Sequence, residues 1–393
     1  MSMEITLWEF IPIITVSGLF LIQFVYWQGI YKNMHRRIEK PGRTVDSYPP
    51  LSVIIVAKNA RAEIEKNLPA VLNQDYPAFE VIVVHDRSAT DCDDVLKRLE
   101  TRYVNLYHTF IPESARYISR KKLGLSIGIK ASHYDWLVFT EIYCRPESNQ
   151  WLKKMAAHFT EETDIVLGYS NYERRQGWFN KKICYDRLIH SMRFLGMALV
   201  GRPYTGSGKN LAYRKSLYAR QNGFTNQLNW DQGEDMLFVN QAAEKKNTRV
   251  EVSKDSIVRI AMPTKRMWNH EKVNEMATSQ LFKGMGKYGA GFETLTRVLF
   301  FLAVLTTVIY GILSRKWIMA GAAALLYVVR LIIQVFVIRQ AAEDFDKRRY
   351  GLSIPLFDLL QPLWHLKFKT IKARHRKDDF QRKINFSNPS GIG

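Results

Sequence analysis

Cysteine is scarce in this chain: Cys92, Cys144 and Cys184 are the only three. An odd number at no metal-ligand spacing argues against a disulfide framework and fits free thiols in a reducing compartment. Acidic residues are also few, 37 Asp and Glu against 57 Lys and Arg, for a net charge of +20. Such an excess can serve nucleic acid, anionic lipid or a phosphorylated substrate. Nucleic acid is the weakest of these, because no nucleic-acid motif is present and the cations cluster beside apolar segments. The chain has no Gly-rich phosphate loop of the P-loop or dinucleotide type, no internal repeat and no low-complexity tract. Nor do cations precede the first apolar run, as a cleaved signal peptide would require.

What is present is uneven. Apolar residues make up 47% of the 393 positions and concentrate at both ends. Ile5 to Trp27 is almost wholly apolar and long enough to cross the ~30 Å hydrocarbon core as a helix. The cations Lys32, Arg36, Arg37, Lys40 and Arg43 follow it. Two further runs, Leu295–Leu313 and Trp317–Ile338, are separated by Ser314, Arg315 and Lys316 and read as a transmembrane hairpin. A basic tail follows. Cations gather on the cytoplasmic side, so the middle of the chain is expected in the cytoplasm, at a bacterial inner membrane. Arg330 and Gln334 share one face inside the third run; Arg330 either snorkels or packs on a neighbouring helix, or it is functional. Ile354–Phe368, broken by Pro355 and Pro362, is too short to span and is expected to lie in the interface with Trp364 as an anchor. The expected organisation is an anchor over 1–30, a basic linker over 31–49, an α/β domain over 50–290, the hairpin over 295–338 and a basic tail over 339–393.

The middle of the chain reads as α/β. Leu51–Ala57 and Phe79–Val84 are continuous runs rich in β-branched residues, as in buried parallel strands. Tyr134–Thr140 is a third strand. Helical patterns over Asn59–Asn73, Asp91–Tyr103 and Ser148–Thr160 alternate with them, which predicts crossovers and a mostly parallel sheet. Ligands of such sheets sit beyond the carboxyl ends of the strands. That places attention on Lys58-Asn59, on His85-Asp86-Arg87-Ser88 and on Glu141–Pro146.

Several of these residues suit nucleotide-sugar chemistry. Asp86 can accept hydrogen bonds from a base or ribose, while Ser88, Thr90 and Asp91 can cap the next helix. Glu141 can hold Mg2+ or Mn2+ bridging two phosphates. Arg120, Lys121 and Lys122 can meet a diphosphate. Glu234 and Asp235 precede a helical run over Met236–Lys245, where a carboxylate stays ionised and can act as general base. Taken alone, each group has an ordinary alternative: a chain turn, a solvated cationic face, a helix cap.

The ordered set is more telling. Lys58-Asn59, His85-Asp86-Arg87-Ser88-Ala89-Thr90-Asp91, Arg120-Lys121-Lys122, Phe139-Thr140-Glu141-Ile142-Tyr143-Cys144-Arg145-Pro146, Gly206-Ser207-Gly208-Lys209-Asn210-Leu211-Ala212-Tyr213-Arg214 and Gly233-Glu234-Asp235 follow one another. From about Pro50 to Trp268 this order resembles the family 2 glycosyltransferases, inverting enzymes of the GT-A fold that include polysaccharide synthases. The resemblance implies a nucleotide-sugar donor, with Asn59, Asp86, Ser88, Arg120 and Lys122 around it, and Asp86 against the base. It implies Glu141 in the metal motif, and Asp235, of the Glu234-Asp235 pair, as the catalytic base. The sequence departs from the family pattern at His85, at Glu141 and at Tyr143, where the family carries aspartates. The Gln-x-x-Arg-Trp motif of processive members is absent after the base; Trp268 to Glu275 occupies that stretch. These departures argue against processive synthesis and for weak dependence on a divalent ion.

The resulting expectation is an integral membrane glycosyltransferase with a nucleotide-sugar donor, a lipid-linked or envelope glycan acceptor and membrane lipids as partners. The competing reading is a scaffold that keeps the fold and has lost turnover, favoured by Tyr143. Gly177–Leu199 mixes large apolar residues, among them Trp178 and Phe179, with Lys181, Lys182, Arg187 and Arg193, and fits either a segment resting on the bilayer or a helix packed on the sheet.

Overall fold

The computed structural model describes residues 10–38, 47–58, 60–86, 92–112, 119–284, 286–374 and 380. Ten strands are present among them: β1 (Leu51–Ala57), β2 (Phe79–Asp86), β3 (Leu106–Ile111), β4 (Trp136–Phe139), β5 (Cys144–Pro146), β6 (Ile165–Gly168), β7 (Ser170–Tyr172), β8 (Leu211–Arg214), β9 (Thr248–Glu251) and β10 (Val258–Ile260). The α-helices of the middle region are α3 (Arg61–Leu72), α4 (Cys92–Glu100), α5 (Arg120–Ala131), α6 (Trp151–Ala156), α7 (Trp178–Leu199), α8 (Lys215–Arg220), α9 (Glu234–Ala242) and α10 (Lys265–Ser279). They are preceded by α1 (Ile11–Val25) and α2 (Asn33–Ile38), and followed by α11 (Gly286–Leu313), α12 (Trp317–Ala341) and α13 (Ser353–Arg374).

The main sheet has the order β3-β2-β1-β4-β8-β6-β9. Strands β1, β2, β3 and β4 run parallel, and β8 is antiparallel to both β4 and β6. The apolar run of β1 is explained by its place between β2 and β4, covered on both faces. A smaller sheet, β5-β10-β7, lies beside it. Three elements among those described differ from expectation. β3 is an edge strand whose Tyr107 and Phe110 are exposed, so it carries no continuous apolar run to announce it. Helices α4 and α6 are shorter than their sequence patterns.

Helix α5 packs unusually close to the sheet. A Cβ on Gly124 would lie 2.9 Å from Val56, and one on Gly128 2.7 Å from Ile54. Those glycines put the 121–124–128 stripe of α5 against the sheet.

Among the described residues, three helices are long and apolar enough to cross a membrane: Ile11–Ile38, Gly291–Leu313 and Trp317–Asp346. They enclose a polar network. Arg330, 1% exposed, donates to Asp358 (2.8 Å), Gln334 (3.1 Å) and Gln23 (3.3 Å). Arg297 reaches Asp358 (3.1 Å) and Gln361 (3.0 Å), and Arg193 of α7 reaches Glu293 at 2.9 Å. Arg330 therefore does not snorkel; it is paired inside the bundle, as a buried guanidinium requires. Its partner Asp358 belongs to the segment read as broken. That segment is one continuous helix, α13, which accommodates Pro362 within it. Trp364 is turned toward the protein, with the Lys182 ammonium 4.0 Å from its ring. The exposed side of α13 is instead a leucine stripe, Leu356, Leu359, Leu363 and Leu366, with Leu352 exposed just before it.

Helix α7 is mostly buried, which settles its two readings in favour of packing. Gly196 lies so close to the first helix that a Cβ would meet the Ile30 carbonyl oxygen at 2.7 Å. Of the expected membrane-facing pair, Trp178 is half exposed while Phe179 packs edge-on against Trp268.

Candidate active site

The carboxyl ends of β2 and β4 and the amino ends of β8 and α9 meet at one edge of the main sheet. Strand alternation sends Asp86, the last residue of β2, toward α5. There it is 2% exposed and accepts a bidentate fork from Arg120, Nε to Oδ2 at 2.7 Å and Nη2 to Oδ1 at 2.5 Å. Two strands away, about 10 Å at the usual strand spacing, Glu141 follows β4. Its Oε1 accepts from Lys121 at 2.5 Å. Its Oε2 accepts from the Tyr143 hydroxyl and lies 3.6 Å from Lys209 Nζ. Burial alone would raise the Glu141 pKa, but Lys121 and Lys209 hold it below the ordinary carboxylate value.

Lys121 also lies 2.7 Å from Glu234 Oε1, so one ammonium bridges the end of β4 and the start of α9. Desolvation opposes its charge; Glu141, Glu234 and Asp235 outweigh that and keep it firmly protonated. Lys122, expected at the diphosphate, is placed elsewhere. It is 1% exposed and donates to the Gln227 carbonyl at 2.7 Å and to the Trp230 carbonyl. The cause is the α5 stripe: Lys121 lies in line with Gly124 and Gly128, and Lys122 is turned about 100° from it. Burial lowers the Lys122 pKa to about 8. Its role is to hold the loop leading into Glu234. Arg145 also leaves the cleft; it lines a separate groove with Lys254, Asp255 and Lys347.

Glu234 and Asp235 form the first turn of α9, which begins two residues before the expected start at Met236. Gly233 precedes them at φ 87, and a Cβ there would also strike Thr278 at 2.4 Å; only glycine fits. Asp235 Oδ2 accepts the Gly208 N–H at 2.5 Å, and a Cβ on Gly208 would sit 3.2 Å from that oxygen. Burial first, then the Glu234 charge, raises the Asp235 pKa above the ordinary aspartate value. Glu234 Oε2 is buried and has no hydrogen-bond partner among the described residues. Lys121, Thr140, Glu141, Gly208, Glu234 and Asp235 share one cavity.

Sequence reasoning assigned no role to Lys209 or Glu271, although Lys209 stood within the quoted Gly206–Arg214 segment. Lys209 donates to Glu271 of α10 at 2.7 Å, closing the cleft from the far side. Asn210 anchors this loop, donating to the Tyr169 and Ser256 carbonyls at 2.8 and 2.9 Å and accepting from Trp151 at 3.0 Å. Asn59 and Ser88 lie outside the described residues.

The residues around Glu141 do not fit a Mg2+ or Mn2+ site. Hard dications take several oxygen ligands, whereas both Glu141 oxygens are engaged by Lys121 and Tyr143. Among the described residues, no three His, Cys, Asp or Glu ligand atoms converge in the cleft; one such group exists elsewhere.

The α/β sheet, with carboxylates and lysines gathered at its carboxyl edge, has a GT-A-like fold. Residues 52–228, a little under half of the chain, match the family described as glycosyl transferase family 2. A probable glycosyltransferase, YdaM of Bacillus subtilis strain 168, is 26% identical over 212 residues, covering 49% of this chain and 47% of that protein. The chain thus spans about half the length of that curated relative. The mannosyltransferase PcManGT from Pyrobaculum calidifontis, solved with GDP-Man and Mn2+, has a similar fold, with a TM-score of 0.54 at 18% identity, over 87% of this chain and 99% of that one. S. aureus TarS 1-349, solved with UDP-GlcNAc, aligns at a TM-score of 0.41 and 16% identity, over 82% and 90% of the two chains, too distant to carry an argument.

Proposed function

We propose that the chain is a membrane-anchored, inverting glycosyltransferase that moves a sugar from a nucleotide-sugar to a lipid-linked or envelope glycan acceptor. The observation that carries this reading is Asp235: a carboxylate at a helix start, oriented by the Gly208 N–H and made more basic than an ordinary aspartate. In the proposed reaction Asp235 takes the proton of the acceptor hydroxyl. The freed oxygen attacks the anomeric carbon from the face opposite the leaving group, and the nucleoside diphosphate departs with the bonding pair. Lys121 and Lys209 offset the charge growing on that diphosphate, released in part from Glu141. Asp86 meets the nucleoside once Arg120 swings from it to the phosphates.

The domain is proposed to span 50–290 and to face the cytoplasm of a bacterial inner membrane, in keeping with the cations that follow α1 and α12. The leucine stripe of α13, followed by Lys367, Lys369, Lys372 and Arg374, suits a helix lying on the bilayer surface. That position favours a lipid-linked acceptor. A second reading, a scaffold without turnover, is favoured by the engagement of Glu141 by Tyr143.

The purified full-length protein in detergent, offered a panel of UDP- and GDP-sugars with membrane lipid extract, should transfer sugar. Asp235→Asn should bind donor normally and lose roughly 10²–10⁴-fold in transfer. Near wild-type transfer by Asp235→Asn would remove the assigned base; donor binding without transfer by any chain would favour the scaffold.

A further inference from the structure

On the other face of β2, away from the donor side, lies a second cluster of chemistry-bearing residues. His85 and Asp86 are neighbours at the end of the strand, so their side chains point to opposite sides of the sheet. While Asp86 faces α5, His85 faces α4. In the parallel register Val83 pairs with His108 and His85 with Phe110, so His85 and His108 project from adjacent strands on that same side. Asp93, in the first turn of α4, comes down between them. Its Oδ1 lies 3.3 Å from His108 Nε2 and 3.5 Å from His85 Nε2. The three ligand atoms all lie within 4.8 Å of one another.

We propose that His85, Asp93 and His108 form a binding site for a Zn2+-class transition-metal ion, distinct from the transfer site. Two imidazoles and one carboxylate oxygen are borderline ligands that favour Zn2+ or its first-row neighbours over Mg2+. Metal–ligand bonds near 2.0–2.1 Å in a tetrahedron place ligand atoms about 3.3 Å apart, close to the 3.3 and 3.5 Å that Asp93 keeps from the two rings; the two imidazole nitrogens lie within 4.8 Å and need draw together only slightly. The surroundings are arranged for ligation. His108 Nδ1 lies 2.6 Å from Glu100 Oε1, and the His108 backbone N–H donates to the same oxygen at 2.6 Å. His108 Nδ1 makes no hydrogen bond among the described residues in this arrangement; turned onto Glu100, the ring would present Nε2 to the metal. Lys97 Nζ sits 2.7 Å from Asp93 Oδ2, leaving Oδ1 for the ion. Half-exposed Asp93 gives an entry path and leaves a fourth position for water.

Such an ion ties the end of β2 to β3 and to the start of α4. It thereby holds the backbone beside Asp86 without entering the transfer reaction. A metal-free alternative is a hydrogen-bonded cluster in which Asp93 accepts from both histidines, and the two make different predictions.

The test uses full-length protein in detergent, stripped with chelator and titrated with Co2+ at neutral pH, then with Zn2+. One equivalent of Co2+ should develop the intense visible absorption of a low-coordinate site, and Zn2+ should bleach it. His85→Gln/His108→Gln should lose that signal, whereas Glu141→Gln should keep it. Because the double variant removes two buried rings and could misfold, Asp93→Asn and Glu100→Gln serve as milder changes, each weakening Co2+ roughly tenfold or more. Zn2+ but not Mg2+ should raise the melting temperature of the wild type. Absence of a one-equivalent spectrum in the folded wild type, or its persistence in folded Asp93→Asn with unchanged affinity, overturns the proposal in favour of the hydrogen-bonded cluster.

Discussion

Replacing Lys121 by methionine tests the electrostatics of the cleft most directly. The side chain keeps its unbranched shape, one atom shorter, and loses its charge. In the structure the ammonium lies 2.5 Å from Glu141 Oε1 and 2.7 Å from Glu234 Oε1. Its removal leaves two carboxylates facing each other across a partly closed cavity. A pair of unit charges at about 4 Å interacts by roughly 4 kcal/mol at an effective dielectric of 20. Lys121 is 43% exposed, so water screens much of that and the loss in stability should stay near 1 kcal/mol. Catalysis should suffer more, since loss of one stabilising donor typically costs roughly 10²–10³-fold in kcat. The vacated space between Glu141 and Glu234 also becomes acidic. Lys121→Met should therefore respond to Mn2+, recovering part of its rate, while the wild type changes little between Mn2+ and chelator. The assay is release of nucleoside diphosphate from the donor that the panel identifies, with and without Mn2+. A wild type that loses all transfer in chelator, or a Lys121→Met variant of near wild-type rate, would refute the reasoning.

Other outcomes follow from the same geometry. Transfer should rise with pH through the ionisation of Asp235, because the base must be deprotonated and its folded pKa is raised; Glu234→Gln removes one cause of that rise and should move the acid limb of kcat/KM to lower pH, and an unmoved limb would mean another group titrates. Arg330→Met strands Asp358 with Arg297 alone and should destabilise the detergent-solubilised protein by about 3–5 kcal/mol, seen as early loss of the monodisperse peak on heated size exclusion; Arg330→Met/Asp358→Leu should recover part of it, and no difference between the two would show that the pair is not coupled. For topology, an impermeant thiol reagent applied to intact cells should leave a cysteine introduced at Lys246, on the exposed surface of the domain, unlabelled; efficient labelling from outside would invert the assigned orientation.

Much of this was legible from residue order. The apolar runs of β1, β2 and β4, the three long apolar helices and the ordered set of polar segments follow from local composition, because burial in a parallel sheet or a bilayer imposes continuous apolar stretches. Positions at strand ends could likewise be read, since a strand's last residue must leave the sheet at its carboxyl edge. Which lysine enters the cleft could not be read from three consecutive cations. It depends on the face that α5 presents to the sheet, and that depends on how closely Gly124 and Gly128 approach Ile54 and Val56. Arg330 and Asp358 are 28 residues apart, and Lys209 and Glu271 are 62 apart; no periodicity links such pairs, so only the folded chain identifies the partners that neutralise them. The same holds for His85, Asp93 and His108, which strand register and helix placement bring together. Local composition thus determined the buried parallel strands β1, β2 and β4, the long apolar helices and the sheet edge where a ligand enters, while long-range packing decided the edge and antiparallel strands and which charges meet, because pairing energies act across space and not along the chain.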